Sequence, residues 1–248
     1  MKPILLSWGP FHIYSFGMSV AAGVLLSLFL MGRQARRQGF PPPDFVFDLV
    51  FVVLLSGFLG SRLLYTFQNW HEYAGRPYML FAIWEGGLIY YGGVIFSIIA
   101  VWIFLRLRGI SPLKGLDFVI PYVTLTHAFG RLGCFLNGCC KGDFCELPWA
   151  VRFPDDGGAA RHPAQLYEAA LNVLLFFFLR RRYDRKRFDG EVLGLYFMLY
   201  ALIRFTVECV RQENPKAFGL TYNQWLSVAF FLAALPLYLF GTRAARKS

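Results

Sequence analysis

The stretch NQWLSVAFFLAALPLYLF, residues 223–240, carries no charged side chain. As a helix it would rise about 27 Å, close to the thickness of bilayer hydrocarbon. Its apolar residues run continuously instead of alternating, which favours a spanning helix over a barrel strand. Working outward, six similar runs appear, giving candidate spans at 12–31, 45–66, 88–105, 116–136, 165–179, 190–208 and 222–241. The fifth is short, and the sixth contains Arg204 and Glu208.

Composition agrees with an integral membrane protein. Apolar residues make up 56% of the 248 and charged residues only 16%, too few to solvate a globular surface of this size. There is no internal repeat, low-complexity tract or separate soluble segment, so one membrane domain over 1–248 is expected. The opening segment lacks a small-residue cleavage site before GRQARRQG and reads as a span, not a removable signal peptide.

The net charge of +10 invites a nucleic-acid reading, but the position of the charge argues against it. Fifteen Lys and Arg lie in loops 32–44, 106–115 and 180–189 and in the tail, against seven in the segments that alternate with them. This asymmetry is a topology signal. It predicts an outside N-terminus, a cytoplasmic C-terminus and an odd number of spans. No nucleic-acid module remains, and no nucleic-acid partner is expected. Trp70, Trp84 and Trp149 suit an interfacial belt on the outer side.

Three arginines stand inside or near the ends of spans: Arg62, Arg131 and Arg204. A charge in lipid is costly, so each needs a partner or a wet cavity. Tyr200, Arg204 and Glu208 follow one another at i, i+4 and i+8, so Arg204 and Glu208 can pair. They would form either a structural lock between helices or an anion site in which Glu208 orients Arg204. In HAFGRLGCF, residues 127–135, His127 and Arg131 share a face, with Gly130 and Gly133 permitting close approach. WEGGLIYYGG, residues 84–93, brackets Tyr90 and Tyr91 with glycine pairs. Gly92 and Gly93 serve either helix packing or contact with a polar ligand. HPAQLYEAALN, residues 162–172, opens a helix with Gln165, Tyr167 and Glu168, placed either for anchoring or for headgroup contact.

The cysteines are Cys134, Cys139, Cys140, Cys145 and Cys209. Their spacing does not match the usual zinc patterns, so no metal is expected from sequence. In an outside loop a bridge between Cys145 and either Cys139 or Cys140 is reasonable, and the spacing does not choose.

Taken together, WEGGLIYYGG, GRLGCFLNGCCKG, RHPAQLYEA and RFTVECVR resemble the bacterial phosphatidylglycerol–prolipoprotein diacylglyceryl transferase family in order and spacing along the whole chain. The resemblance implies an all-α, seven-span protein of the bacterial inner membrane. It also implies transfer of a diacylglyceryl group from phosphatidylglycerol to the lipobox cysteine of a preprolipoprotein, releasing glycerol 1-phosphate without a cofactor. Substrates and surrounding lipids would all be membrane-held. Arg131 and Arg204 become the key residues, with Tyr200 and Glu208 beside the second. Asn137 matches the family element G-R-x-G-N-F-x-N-G, whereas Cys134 stands where Asn is common. Tyr91 occupies the place of an expected His, and Phe16 that of a Tyr. His127 could then serve as the base, with Gln165, Tyr167, Tyr200, Gly92 and Gly93 contacting substrate. A lipid or small-molecule transporter is the alternative, but such folds often carry paired repeats that this chain lacks.

Overall fold

The computed structural model describes residues 3–8, 11–42, 44–73, 87, 89–211 and 216–245. Seven long helices carry the fold: α1 (Ser15–Gln38), α2 (Phe45–Gln68), α4 (Tyr90–Leu107), α5 (Pro112–Asn137), α6 (Ala164–Tyr183), α7 (Glu191–Glu208) and α8 (Tyr222–Ala245). A single turn, α3 (Trp70–Tyr73), follows α2. By length and composition α1, α2 and α8 can each cross a membrane. The all-helical expectation omits three short antiparallel hairpins: β1 (Ile4–Trp8) with β2 (Phe11–Tyr14), β3 (Val151–Arg152) with β4 (Ala160–Arg161), and β5 (Lys216–Ala217) with β6 (Leu220–Thr221). The first helix therefore begins at Ser15 and not near residue 12, because Phe11–Tyr14 pair with β1. The fifth run, short by hydropathy, continues through Arg180–Arg182 to Tyr183.

The burial pattern is that of a protein solvated by lipid. Phe47 is 74% exposed and Leu107 83%, whereas Asp117, Asn172 and Glu191 are fully buried. With no hydrophobic drive between helices in hydrocarbon, small residues and internal polar contacts must hold them together.

The chain forms two compact units. The unit of residues 32–115 is built on the pairing of α2 with α4. Its contact runs along Gly57, Gly60, Gly92 and Gly93. A Cβ on Gly92 would collide with the Gly60 carbonyl and the Leu64 side chain, and one on Gly93 with Ser61 Oγ. Phe45 meets Phe104 with ring centroids 5.5 Å apart, and Asp48 pairs with Arg108. Arg62, one of the three intramembrane arginines, is buried and donates from Nη1 to the Gly87 carbonyl at 3.3 Å. Gly87 has φ +77°, and a Cβ there would strike the Tyr65 ring, so both backbone freedom and space require glycine.

The second unit, residues 3–31 and 116–245, holds α6, α7 and α8 with most of α1 and α5. Ser27 Oγ donates to the Tyr122 carbonyl at 3.1 Å, and Ser19 Oγ to the Phe129 carbonyl at 2.7 Å, fixing α1 on α5. At the other end of α5 the Asp117 carboxylate caps α7. It accepts from Gly190 N at 2.8 Å, Leu193 N at 3.0 Å and Lys186 Nζ at 2.9 Å. Glu191 accepts from Arg187 N at 2.6 Å and pairs with Arg182. Part of the basic loop read as a topology signal is therefore also structural.

Candidate functional site

In this second unit α5, α6 and α7 each contribute to one polar cluster. Its centre is Glu168 on α6, 1% exposed. One oxygen, Oε1, faces three partners from two other helices. Arg131 Nη2 of α5 lies at 3.0 Å and His127 Nε2 of α5 at 3.5 Å, while Tyr200 of α7 donates its hydroxyl at 3.3 Å. The His127 and Tyr200 rings lie 5.2 Å apart, and Tyr196 stacks on Tyr200 at 5.6 Å. The i,i+4 spacing of His127 and Arg131 brings both to one carboxylate. A ring nitrogen facing a carboxylate favours the tautomer that carries its proton there, which leaves Nδ1 as an acceptor.

A second cluster surrounds Glu208 at the end of α7. Arg204 Nη2 lies 2.8 Å from Oε2, the pairing expected from the sequence, and Arg211 Nε lies at 3.8 Å. Oε1 accepts from Asn223 Nδ2 at 2.9 Å and Thr221 Oγ1 at 3.2 Å. Each carboxylate thus fixes one arginine of a long helix, and among the described residues neither arginine is saturated. Arg131 Nε and Arg204 Nη1 are both buried without a hydrogen-bond partner. A buried donor without an acceptor is costly, and an incoming anion would relieve it.

Gln165 and Tyr167 fasten the loop before α6. Gln165 Nε2 donates to the Cys139 carbonyl at 2.5 Å. Tyr167 OH accepts from Trp149 Nε1 at 2.7 Å and lies 3.2 Å from His162 Nδ1. Gln165 Oε1 remains buried without a partner, so this residue retains an acceptor. The loop is further held by Arg161, which pairs with Asp156 and donates to the Gly142 carbonyl at 3.4 Å. The hydrogen bond from Arg161 holds the Asp156 carboxyl below its usual range.

Asn137 is the exposed last residue of α5, and among the described residues no hydrogen bond joins it to either carboxylate. Tyr91, Gly92 and Gly93 belong to the first unit. Tyr91 is 69% exposed in the first turn of α4, and the two glycines are filled by α2. Of WEGGLIYYGG, residues 84–86 and 88 lie outside the described residues, Trp84 among them.

All five cysteines are free, so the bridge considered between Cys145 and Cys139 or Cys140 is absent. Cys145 is buried with its N–H on the Ala160 carbonyl at 3.0 Å, committed to the edge of the β3–β4 hairpin. Cys139 and Cys140 turn back toward Cys134 instead. The Cys140 thiol is pulled below the ordinary thiol range, first by its hydrogen bond with Cys134, with Arg211 also lowering it against the opposing effect of burial.

Sequence reasoning missed Glu168 as a centre and Thr221 and Asn223 as ligands of Glu208. The available signal for Glu168 was an acid one turn before Asn172 in an otherwise apolar helix.

A family model described as prolipoprotein diacylglyceryl transferase matches residues 3–240. Among curated relatives, the chain is similar to proteins named phosphatidylglycerol–prolipoprotein diacylglyceryl transferase from three bacteria. Identity is 36% with that of Chromohalobacter salexigens, covering 98% of this chain and 93% of the relative. It is 37% with that of Nitratidesulfovibrio vulgaris, covering 97% and 92%. With that of Methylococcus capsulatus it is 36%, covering 97% and 93%.

Proposed function

Because the chain belongs to the prolipoprotein diacylglyceryl transferase family, we propose that it moves the diacylglyceryl group of phosphatidylglycerol onto the lipobox cysteine of a preprolipoprotein. It does so as a multi-pass protein of the bacterial inner membrane. The sulfur–carbon bond forms at the glyceryl carbon bonded to the phosphate oxygen. The carbon–oxygen bond breaks, and glycerol 1-phosphate leaves with the electron pair. The thiol must lose its proton to attack well. His127 receives it at Nδ1, oriented through Nε2 by Glu168. Arg131 and Arg204 hold the phosphate oxygens as charge accumulates on the leaving group. Glu208 and Tyr200 keep these two centres in register.

The observation that carries this reading is the pair of buried, unpartnered guanidinium donors, Arg131 Nε and Arg204 Nη1, on adjoining helices of one unit. Both arginines act electrostatically on His127 and Tyr200, and phosphate oxygens are the acceptors that the rigid planar fork of Arg suits. Gln165 Oε1 offers an acceptor for a headgroup hydroxyl. Asn137 and Tyr167 are further substrate-contact candidates and Tyr91 a further catalytic candidate, all resting on the family pattern, whereas Gly92 and Gly93 pack against α2.

The excess of Lys and Arg in alternate loops supports an outside N-terminus and a cytoplasmic C-terminus. The clusters then open toward the outer leaflet, where acyl chains remain among the helices. The test is direct: purified protein is mixed with phosphatidylglycerol labelled in its acyl chains and a lipobox peptide. Label appearing on the peptide cysteine supports the reading. Persistent absence of transfer from a folded, lipid-binding preparation would sink it.

A further inference from the structure

The Sγ atoms of Cys134, Cys139 and Cys140 all lie within 4.8 Å of one another. Two features of the chain make this possible although the residues are not evenly spaced. First, α5 ends in a Schellman cap. Gly138 N–H bonds to the Phe135 carbonyl at 3.1 Å and Cys139 N–H to the Cys134 carbonyl at 3.1 Å, with Gly138 at φ +77°. This reverses the chain and lays Cys139 over the last turn. Second, Cys140 itself takes φ +60°, a left-handed conformation that residues with a Cβ rarely adopt. It brings the Cys140 sulfur, at the exposed rim, to the same point. Gln165 then clamps the turn through the Cys139 carbonyl.

We propose that Cys134, Cys139 and Cys140 form a binding site for one thiophilic d10 metal ion, of the Zn2+ or Cu+ class. Metal–sulfur bonds of about 2.3 Å hold three sulfurs roughly 3.8–4.0 Å apart in trigonal or tetrahedral geometry. The sulfurs need only contract modestly from their present separation to meet that spacing. A disulfide would draw two of them to about 2.05 Å and leave the third without a partner. Three protein thiolates also leave a fourth position for water or an added ligand. Arg131 and Arg211 lie within electrostatic reach of Cys140, which suits an anionic thiolate–metal complex.

The test uses the full chain, purified reduced in detergent, stripped with a chelator and titrated with Co2+ alone. The expected result is a near-ultraviolet sulfur-to-cobalt band that saturates at one equivalent and disappears when Zn2+ is added. Cys134→Ser, Cys139→Ser and Cys140→Ser should each weaken binding roughly tenfold or more, while Cys209→Ser keeps it. Should a serine variant fail to fold, protection of the unaltered protein decides. Zn2+ should slow iodoacetamide alkylation at positions 134, 139 and 140 but not at 209, read by peptide mass spectrometry. Absence of the band with all three thiols reduced, or full alkylation under saturating Zn2+, overturns the site. So does recovery of two of these cysteines as a disulfide from protein isolated without reductant. None of these readouts depends on lipid transfer.

Discussion

Glu168 on α6 and Glu208 on α7 are similarly buried, at 1% and 3% exposure, and each fixes one arginine. Their other neighbours differ. Glu168 gathers its partners on a single oxygen, and two of them, His127 and Tyr200, can carry a proton to or from a reacting group. Glu208 is braced on both oxygens by Thr221, Asn223, Arg204 and Arg211, with no imidazole or phenol among them. The first carboxylate is built to set a protonation state, the second to hold a cation still. The same side chain, similarly buried, thus acquires different work from the helices that pack against it.

The comparison can be broken most sharply at the arginines. Arg131→Lys and Arg204→Lys retain charge but lose the planar fork, and each should cut turnover by about 100-fold or more, as loss of a transition-state donor does elsewhere. The measurement is label transfer to a lipobox peptide, with insertion checked by membrane fractionation. Near-normal turnover of both variants would refute the phosphate-holding role.

A smaller and unequal loss should separate the two carboxylates. Glu168→Gln removes the charge facing His127 and Arg131 together, and should lower kcat about 10- to 100-fold. Glu208→Gln can keep the acceptor for Thr221 and Asn223 but loses the charge that positions Arg204, and should act mainly on KM for phosphatidylglycerol. Equal effects on kcat, with no difference in KM, would erase the distinction.

The proton acceptor gives a third contrast. His127→Gln should reduce transfer more than Tyr91→Phe, since the phenol's reference pKa near 10 makes it a poor base at neutral pH. The His127→Gln loss should narrow as pH rises toward the acceptor thiol's reference value of about 8.5, because the thiol then ionises unaided. Abolition by Tyr91→Phe with His127→Gln near normal would move the base to α4.

The mildest effect on catalysis should come from the α2–α4 seam. Gly92→Ala pushes a methyl into the Gly60 carbonyl and should cost about 1–3 kcal/mol of stability, read as a lower melting temperature. Protein that remains folded should keep most of its turnover. A loss of turnover without a loss of stability would instead make Gly92 a substrate contact.

The seven long helices were legible because long apolar runs mark each of them whatever its neighbours are. The Arg204–Glu208 pair and the shared face of His127 and Arg131 were legible because both follow from helical period alone. Glu168 was not, since its meaning depends on which helices meet at α6, and periodicity along one helix carries no such information. The three hairpins escaped for a related reason: the two nearest α6 and α8 are only two residues per strand, too short for an alternating pattern. The thiol cluster depends on a helix cap and a left-handed cysteine, and the residue spacing alone argued against it.

Asp117 imposes an order on the assembly of the chain. Its partners Lys186, Gly190 and Leu193 are 69, 73 and 76 residues further on. At a synthesis rate of about 5–20 residues per second, the ribosome reaches them roughly 4–15 s after the carboxylate emerges. Until then α5 carries an uncapped charge at its end, which only water or lipid headgroups can serve. The arrival of the segment that starts α7 replaces those contacts with two backbone N–H groups and an ammonium. The last quarter of the polypeptide thereby supplies the clasp for a helix made before it, and a chain truncated ahead of residue 186 would leave that clasp open.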